Sequence, residues 1–153
     1  KFNKNTVVKD NVEPHEHTMH ILINSILPEL SPNIINYDPL KKKMIMEKIP
    51  GKCIADIYDT DLYKVPTDIL DQIKDIVRIL YDSNILYRDI TSYNFIISKK
   101  EGNNIVNIID FEHASLLENV NGKNKKVSPF KDDHIYVKKF LKGQVKIWNP
   151  NFA

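Results

Sequence analysis

One cysteine and two arginines occur among 153 residues, and no apolar run approaches the roughly 20 residues needed to cross a bilayer. The lone Cys53 excludes an internal disulfide framework and a cysteine-rich metal site. Such usage belongs to a reducing compartment, so a cytoplasmic location without membrane contact is the expectation. The first ten residues are polar and lack the apolar centre of a signal peptide. The chain begins with Lys1 instead of Met, so further residues are expected upstream. Twenty-two basic and 20 acidic side chains leave a formal charge of +2. That balance lacks the concentrated positive field that would point to direct nucleic-acid binding. What remains is 42% apolar and 27% charged, in a length that suits one domain with one core.

The basic residues are nearly all Lys, and Ile and Asn are abundant throughout. These three share A/T-rich codons, which points to a genome poor in G and C, as in large DNA viruses, intracellular bacteria and protozoa. In a virus or an intracellular organism the cytosol in question is the host's. Lysine runs such as Lys41, Lys42 and Lys43 therefore read as solvated strand ends. The exceptions carry more weight. Arg78 and Arg88 are expected where a planar, forked guanidinium does what an ammonium cannot.

Residues 6–9 form a short extended segment. Glu13-Pro14 opens a helix with Met19, Leu22, Ile23, Ile26 and Leu27 at helical spacing, closed by Pro28 and Ser31-Pro32. Segments 33–37 and 43–48 read as a hairpin turning at Asp38-Pro39. Pro50-Gly51 breaks the chain, and residues 54–58 form a helical turn. Ile69, Leu70, Ile73, Ile76, Val77 and Leu80 mark the strongest helix, with Thr67 or Asp68 expected as its N-cap behind Pro66. Periodicity then changes to short strands over 85–87, 95–98 and 105–109, the last two separated by a polar turn over 99–104. A polar, mobile loop is expected over 117–128, and a last helix over 133–141 leads to Trp148.

Asp89 and Asn94 stand five positions apart in a loop between two β-rich segments, and Asp110 directly follows the apolar strand that ends at Ile109. A carboxylate at a strand's carboxyl end is exposed where ligands of such layers are held. Two carboxylates and an amide from neighbouring loops offer hard oxygen ligands suited to Mg²⁺, with one carboxylate free to orient a nucleophile.

With these residues the sequence resembles the protein kinase-like superfamily. Its catalytic-loop pattern H-R-D-x-x-x-x-N stands here as Tyr87-Arg88-Asp89 with Asn94, and D-F-G as Asp110-Phe111-Glu112. The resemblance implies that Asp89 orients or deprotonates the acceptor, while Asn94 and Asp110 hold Mg²⁺ on the phosphates of ATP. The loop Asp89-Ile90-Thr91-Ser92-Tyr93-Asn94 is most similar to Bud32-type and RIO-type atypical Ser/Thr kinases, which carry Thr two positions after the Asp. Met46-Glu47-Lys48-Ile49-Pro50-Gly51 resembles their hinge, with Met46 as gatekeeper, Glu47 and Ile49 beside adenine, and Phe111 at the cofactor. Glu112 in place of Gly is similar to aminoglycoside and choline kinases. Val7-Val8-Lys9 resembles the end of the V-A-I-K strand, and Glu16 the partner of its Lys. No glycine-rich loop precedes Lys9 in this chain, no A-P-E follows Asp110, and Asp133-His134-Ile135-Tyr136 only loosely resembles the buried Asp-containing helix under the catalytic loop. The implied fold is α+β and two-lobed, with a reduced amino-terminal lobe over residues 1–49 and an abbreviated helical carboxyl-terminal lobe over residues 50–153.

Each residue also has a plainer reading. Arg88 is an ordinary surface ion-pair partner or a clamp on the segment after Asp110; its rarity favours the clamp. Tyr87 reads as packing. His15, His17 and His20 do not share one helical face, so they read as a polar helix start and not a zinc site. Cys53 reads as a small buried side chain, and Asp59, Asp61, Asp71 and Asp75 as solvated. The resemblance implies an Mg-ATP-dependent phosphotransferase acting on protein Ser or Thr, or a Bud32-like ATPase. The alternatives are a kinase-like binding module that occupies a partner protein, and a small-molecule kinase of the aminoglycoside or choline type.

Overall fold

Strand β1 (Thr6–Lys9), helix α1 (Pro14–Ile26) and the strands β2 (Ile34–Asp38) and β3 (Lys43–Glu47) build the amino-terminal part. The computed structural model describes residues 5–117 and 133–153. Pro14 suits the first turn of α1, where its missing N–H would have had no partner anyway. The hairpin turns where the Asp38 carboxylate accepts the backbone N–H groups of Leu40 and Lys41 at 3.0 and 3.2 Å. The sheet is antiparallel, in the order β1-β3-β2, with Lys9 opposite Met44 and Val7 opposite Met46. Because side chains alternate along a strand, that register places these four on one face.

After Pro50-Gly51 come β4 (Lys52–Cys53), α2 (Ile54–Tyr58), a 3₁₀ turn (Leu62–Lys64) and α3 (Thr67–Asp82). They are followed by β5 (Ile85–Leu86), β6 (Phe95–Lys100), β7 (Asn103–Ile108), β8 (Ser115–Leu116) and α4 (Asp133–Leu141). A second sheet has the order β4-β6-β7, and β5 pairs with β8. Ile69, Ile73, Ile76, Val77 and Leu80 of α3 are buried together with Ile85, Phe95, Ile108 and Phe140. Full burial of each such side chain contributes about 1.5–3 kcal/mol, so this helical layer is the main source of cohesion behind the loops. The backbone N–H of Ile108 donates to the Leu30 carbonyl at 2.8 Å, fastening the second sheet to the segment after α1.

Several expectations need correction. The N-cap of α3 is Pro66, not Thr67 or Asp68; its carbonyl accepts the Leu70 N–H at 2.9 Å, so both polar residues lie inside the first turn. The turn between β6 and β7 is only Glu101-Gly102, both at positive φ, so Lys99 and Lys100 continue the strand opposite Asn104 and Asn103. Strands β4 and β8 were not expected, since two residues carry no periodicity. Cys53 is half-buried, and His20 is buried instead of forming part of a polar helix start. Of the polar loop expected over 117–128, Leu117 is described, its N–H donating to the Asn84 carbonyl at 2.9 Å, and residues 118–128 lie outside the described residues.

Gly51 is required where it stands. Its φ is +139°, and a Cβ there would lie 2.1 Å from the Ile97 carbonyl oxygen. Gly51→Ala should therefore destabilise the fold by about 2 kcal/mol or more, read as a lower urea midpoint. An unchanged midpoint would contradict the close approach of the chain break to β6.

Candidate active site

The hairpin β6–β7 closes with Phe95 opposite Ile108, so the chain enters it from Asn94 and leaves it toward Asp110 at the same end. The Ile109 N–H donates to the Asn94 carbonyl at 3.0 Å, which holds the two exits together. Asn94 donates its side-chain amide to the Asp89 carbonyl at 2.9 Å, so its side-chain oxygen is oriented by the loop that carries Asp89. Tyr87 is fully buried, and its hydroxyl donates to the Ile109 carbonyl at 2.7 Å, a tie that a packing role alone did not anticipate. Asp110 itself adopts φ +66°, a left-handed conformation seldom found in non-glycine residues and concentrated at functional sites.

Lys9 joins this assembly from β1. Its ammonium lies 2.5 Å from Glu16 of α1 and 3.3 Å from Asp110. Burial alone would lower the Lys9 pKa, but Glu16 and Asp110 more than offset it and the net shift is upward. Burial pushes Glu16 upward too; the Lys9 contact opposes this, while the charges of Asp110 and Glu112 add to it. Asp89 is 9% exposed, and burial followed by the Asp110 charge raises its pKa to about 6. Two causes are at work: loss of hydration, the larger for Glu16 and Asp89, and the neighbouring carboxylates, which raise Lys9 and add to the shifts of both acids.

Beside the charged cluster lies a cavity of about 330 Å³, within the range of small-molecule sites. Its walls include Val7, Met44, Met46, Ile49 and Ile96, with Lys9, Glu16 and Asp110 also among its lining residues. Met46, Glu47 and Ile49 line it as well as the charged groups. Phe111 is not one of its lining residues: it is buried with its ring 4.8 Å from His20 and 6.2 Å from Tyr87, which replaces the expected place beside a cofactor with a core position. Met44, Ile96 and His20 were missed, because only strand register and the α1 crossing bring them to the cavity.

Arg88 is not among the residues that line the cavity. Its guanidinium donates to the His113 carbonyl at 2.6 Å and lies 3.6 Å from the buried Asp133 carboxylate. His15 donates from Nε2 to the Ala114 carbonyl at 2.8 Å, so α1 holds the same segment from the other side. Arg78 donates to the Leu141 carbonyl at 2.7 Å, at the end of α4. No cluster of three or more His, Cys, Asp or Glu able to hold a metal occurs among the described residues. A cation here would be shared between Asn94 and Asp110 and the oxygens of a bound ligand, which suits Mg²⁺.

No protein-family model matches the sequence, and no curated protein does. Solved structures do match. The chain is similar to the structure titled Rad53 kinase domain and SCD2, with TM-score 0.59 and 15% identity over 89% of this chain and 54% of that one. The fold is protein kinase-like. It is similar also to the RIO type: the Rio2 kinase of Chaetomium thermophilum, in a complex titled ADP/Mg²⁺-phosphoaspartate, matches with TM-score 0.60 and 11% identity over 84% of this chain. The chain spans about half the length of the first (54%) and about a third of the second (35%). No helix among the described residues is long and apolar enough to cross a membrane.

The raised pKa of Asp89 has a consequence for stability. A carboxyl held at about 6 in the fold and near its ordinary value when unfolded keeps its proton longer in the folded state. Its favourable contribution is present at low pH and is lost as pH rises through 6. Asp89→Asn should therefore be more stable than wild type at pH 7.5, by about 2 kcal/mol, with the difference shrinking between pH 6 and 4. Chemical denaturation of both proteins across that range checks the sign; a variant less stable than wild type at pH 7.5 would refute it.

Proposed function

We propose that the chain is an Mg-ATP-dependent phosphotransferase of minimal kinase type, acting on a hydroxyl group, with Ser or Thr of a protein as acceptor. The observation that carries the reading is the meeting of the Lys9–Glu16 pair with Asp110 at one largely apolar cavity, with the Asp89–Asn94 loop tied to the same strand end through the Asn94 carbonyl and Ile109. An apolar cleft with a charged end suits adenine and its phosphates respectively. In this reading residues 1–49 and 50–153 act as the two lobes, with the nucleotide between them. The N–H groups of Glu47 and Lys48 are already committed to the carbonyls of Asn33 and Asn5, at 2.9 and 2.8 Å. Ile49 is therefore the residue assigned to offer its amide to adenine, since Pro50 has none. Lys9, steadied by Glu16, balances phosphate charge.

The residues present fit Mg²⁺ in oxygen donor type and in their excess of negative charge; Asn94 and Asp110 would hold it, and it would neutralise the phosphate oxygens. Asp89 takes the proton of the acceptor hydroxyl, and is ionised for that purpose above pH 6. Arg88 keeps the segment after Asp110 against the catalytic loop through the His113 carbonyl. A cytosolic setting and a protein partner accompany this reading.

Phosphate transfer from γ-labelled ATP tests it. Asp89→Asn should lower turnover by about 10²–10⁴-fold with little change in nucleotide affinity, because a proton acceptor acts mainly in the transition state. Asp110→Ala should instead lose the Mg²⁺-dependent part of nucleotide affinity while remaining folded. Absence of transfer by wild type, with partner binding preserved in Asp89→Asn, would overturn the enzyme in favour of a binding module.

A further inference from the structure

Asn149 is the one fully buried asparagine among the described residues, at 0% exposure, and no part of the motif reading uses it. Its side-chain amide donates to the Arg88 carbonyl at 2.8 Å and to the Asp133 carboxylate at 3.0 Å. Its own backbone N–H donates to the Ile90 carbonyl at 3.0 Å. The two peptide carbonyls that flank Asp89 are thus both held by this residue. Its side-chain oxygen accepts the Asn151 N–H at 3.1 Å, and its carbonyl accepts the N–H groups of Phe152 and Ala153 at 3.1 and 3.0 Å. Asn151 also donates to Asp133, at 2.8 Å, and the Phe152 ring lies 5.0 Å from that of His113. Nearly every hydrogen-bonding position of a buried amide is filled, which fixes its orientation.

We infer that Asn149 is a positioning residue for the catalytic loop: segment Trp148–Phe152 straps that loop to α4, and Asn149 sets the place of Asp89 through the backbone on either side. The physical argument is one of registration. A proton acceptor must sit within hydrogen-bond reach of its hydroxyl, and a displacement of about 1 Å costs on the order of 10²-fold in rate. Loops do not hold such tolerances by themselves; they take them from buried polar contacts that cannot be exchanged for water. Asparagine suits this place because a single side chain must donate to a carbonyl and a carboxylate while accepting an amide. Aspartate would offer acceptors to two acceptors.

The inference rests on the kinase reading, so its test has an arm that needs no activity. Asn149→Asp, which keeps shape and removes the donor, is made in the full chain, with Asn149→Ser as a second variant that remains usable should the first not fold. Amide hydrogen exchange is followed at Ile90 and Asn94, with Mg-ATP affinity and turnover measured on the same samples. The expected result is exchange at these amides faster by about tenfold or more, and turnover lower by about 10–100-fold with nucleotide affinity within about threefold of wild type. Wild-type exchange and turnover in a folded variant would overturn the assignment. So would a parallel fall of affinity, turnover and melting temperature, since that is a loss of structure throughout. If wild type transfers no phosphate, the kinase reading fails and the exchange arm alone decides whether Asn149 positions the loop.

Discussion

A single ammonium, that of Lys9, is drawn between carboxylates from distant parts of the chain, and the site depends on that pairing. Glu16 comes from the helix that follows and Asp110 from 101 residues away. With the cation between them the two acids can be held close together, next to a cavity whose walls are mostly apolar. Without it, desolvation and mutual repulsion would drive them apart or protonate them. Burial is the first cause of the upward shifts of Glu16 and Asp89, and the Asp110 charge adds to both, so one ammonium stands among several partly dehydrated carboxylates. Remaining negative charge is what a divalent ion bound with phosphates would meet.

Behind this cluster the structure is a set of ties between backbone carbonyls and side-chain or backbone donors, of which Tyr87 and Asn149 are buried, Arg88 is half-buried and His15 is exposed. Tyr87 holds Ile109, Arg88 holds His113, His15 holds Ala114, and Asn149 holds Arg88 and Ile90. Each donor belongs to an element other than the one it grips, so the loops carrying Asp89 and Asp110 are fixed by their surroundings. The packed face of α3 supplies the surface on which these loops rest. A small domain with short strands can hold an acidic site in this way, because polar contacts that cannot be traded for water are direction-specific while apolar burial is not.

The helices and the amino-terminal hairpin were legible in the sequence because their signals are local: Ile69 through Leu80 repeats every three or four residues, and Asp38-Pro39 marks a turn. The spacing of Asp89, Asn94 and Asp110 was legible for the same reason, since covalent proximity and one hairpin bring them to a common end. The kinase-like fold with RIO-type similarity, suggested by those motifs, is what the solved structures match. The ends of elements were less visible. Pro66 caps α3 through its carbonyl, a contribution that side-chain preferences do not report, and Glu101-Gly102 makes a turn shorter than the surrounding polar composition suggests. Phe111 and His20 illustrate a second limit: a motif position does not say whether a ring faces a ligand or the core. Asn149 illustrates a third, for its partners lie 61 and 16 residues away and no periodicity connects them.

Calorimetric titration of the full chain with a non-hydrolysable ATP analogue, once with Mg²⁺ and once with a chelator, tests the central claim most directly. The account predicts one binding site per chain, with affinity at least about tenfold weaker when Mg²⁺ is removed. It predicts also that the Mg²⁺-dependent part disappears in Asp110→Ala. Equal affinity in the two conditions, or no binding in either by a folded chain, would contradict the assignment of the cavity and its carboxylates to a metal-bound nucleotide.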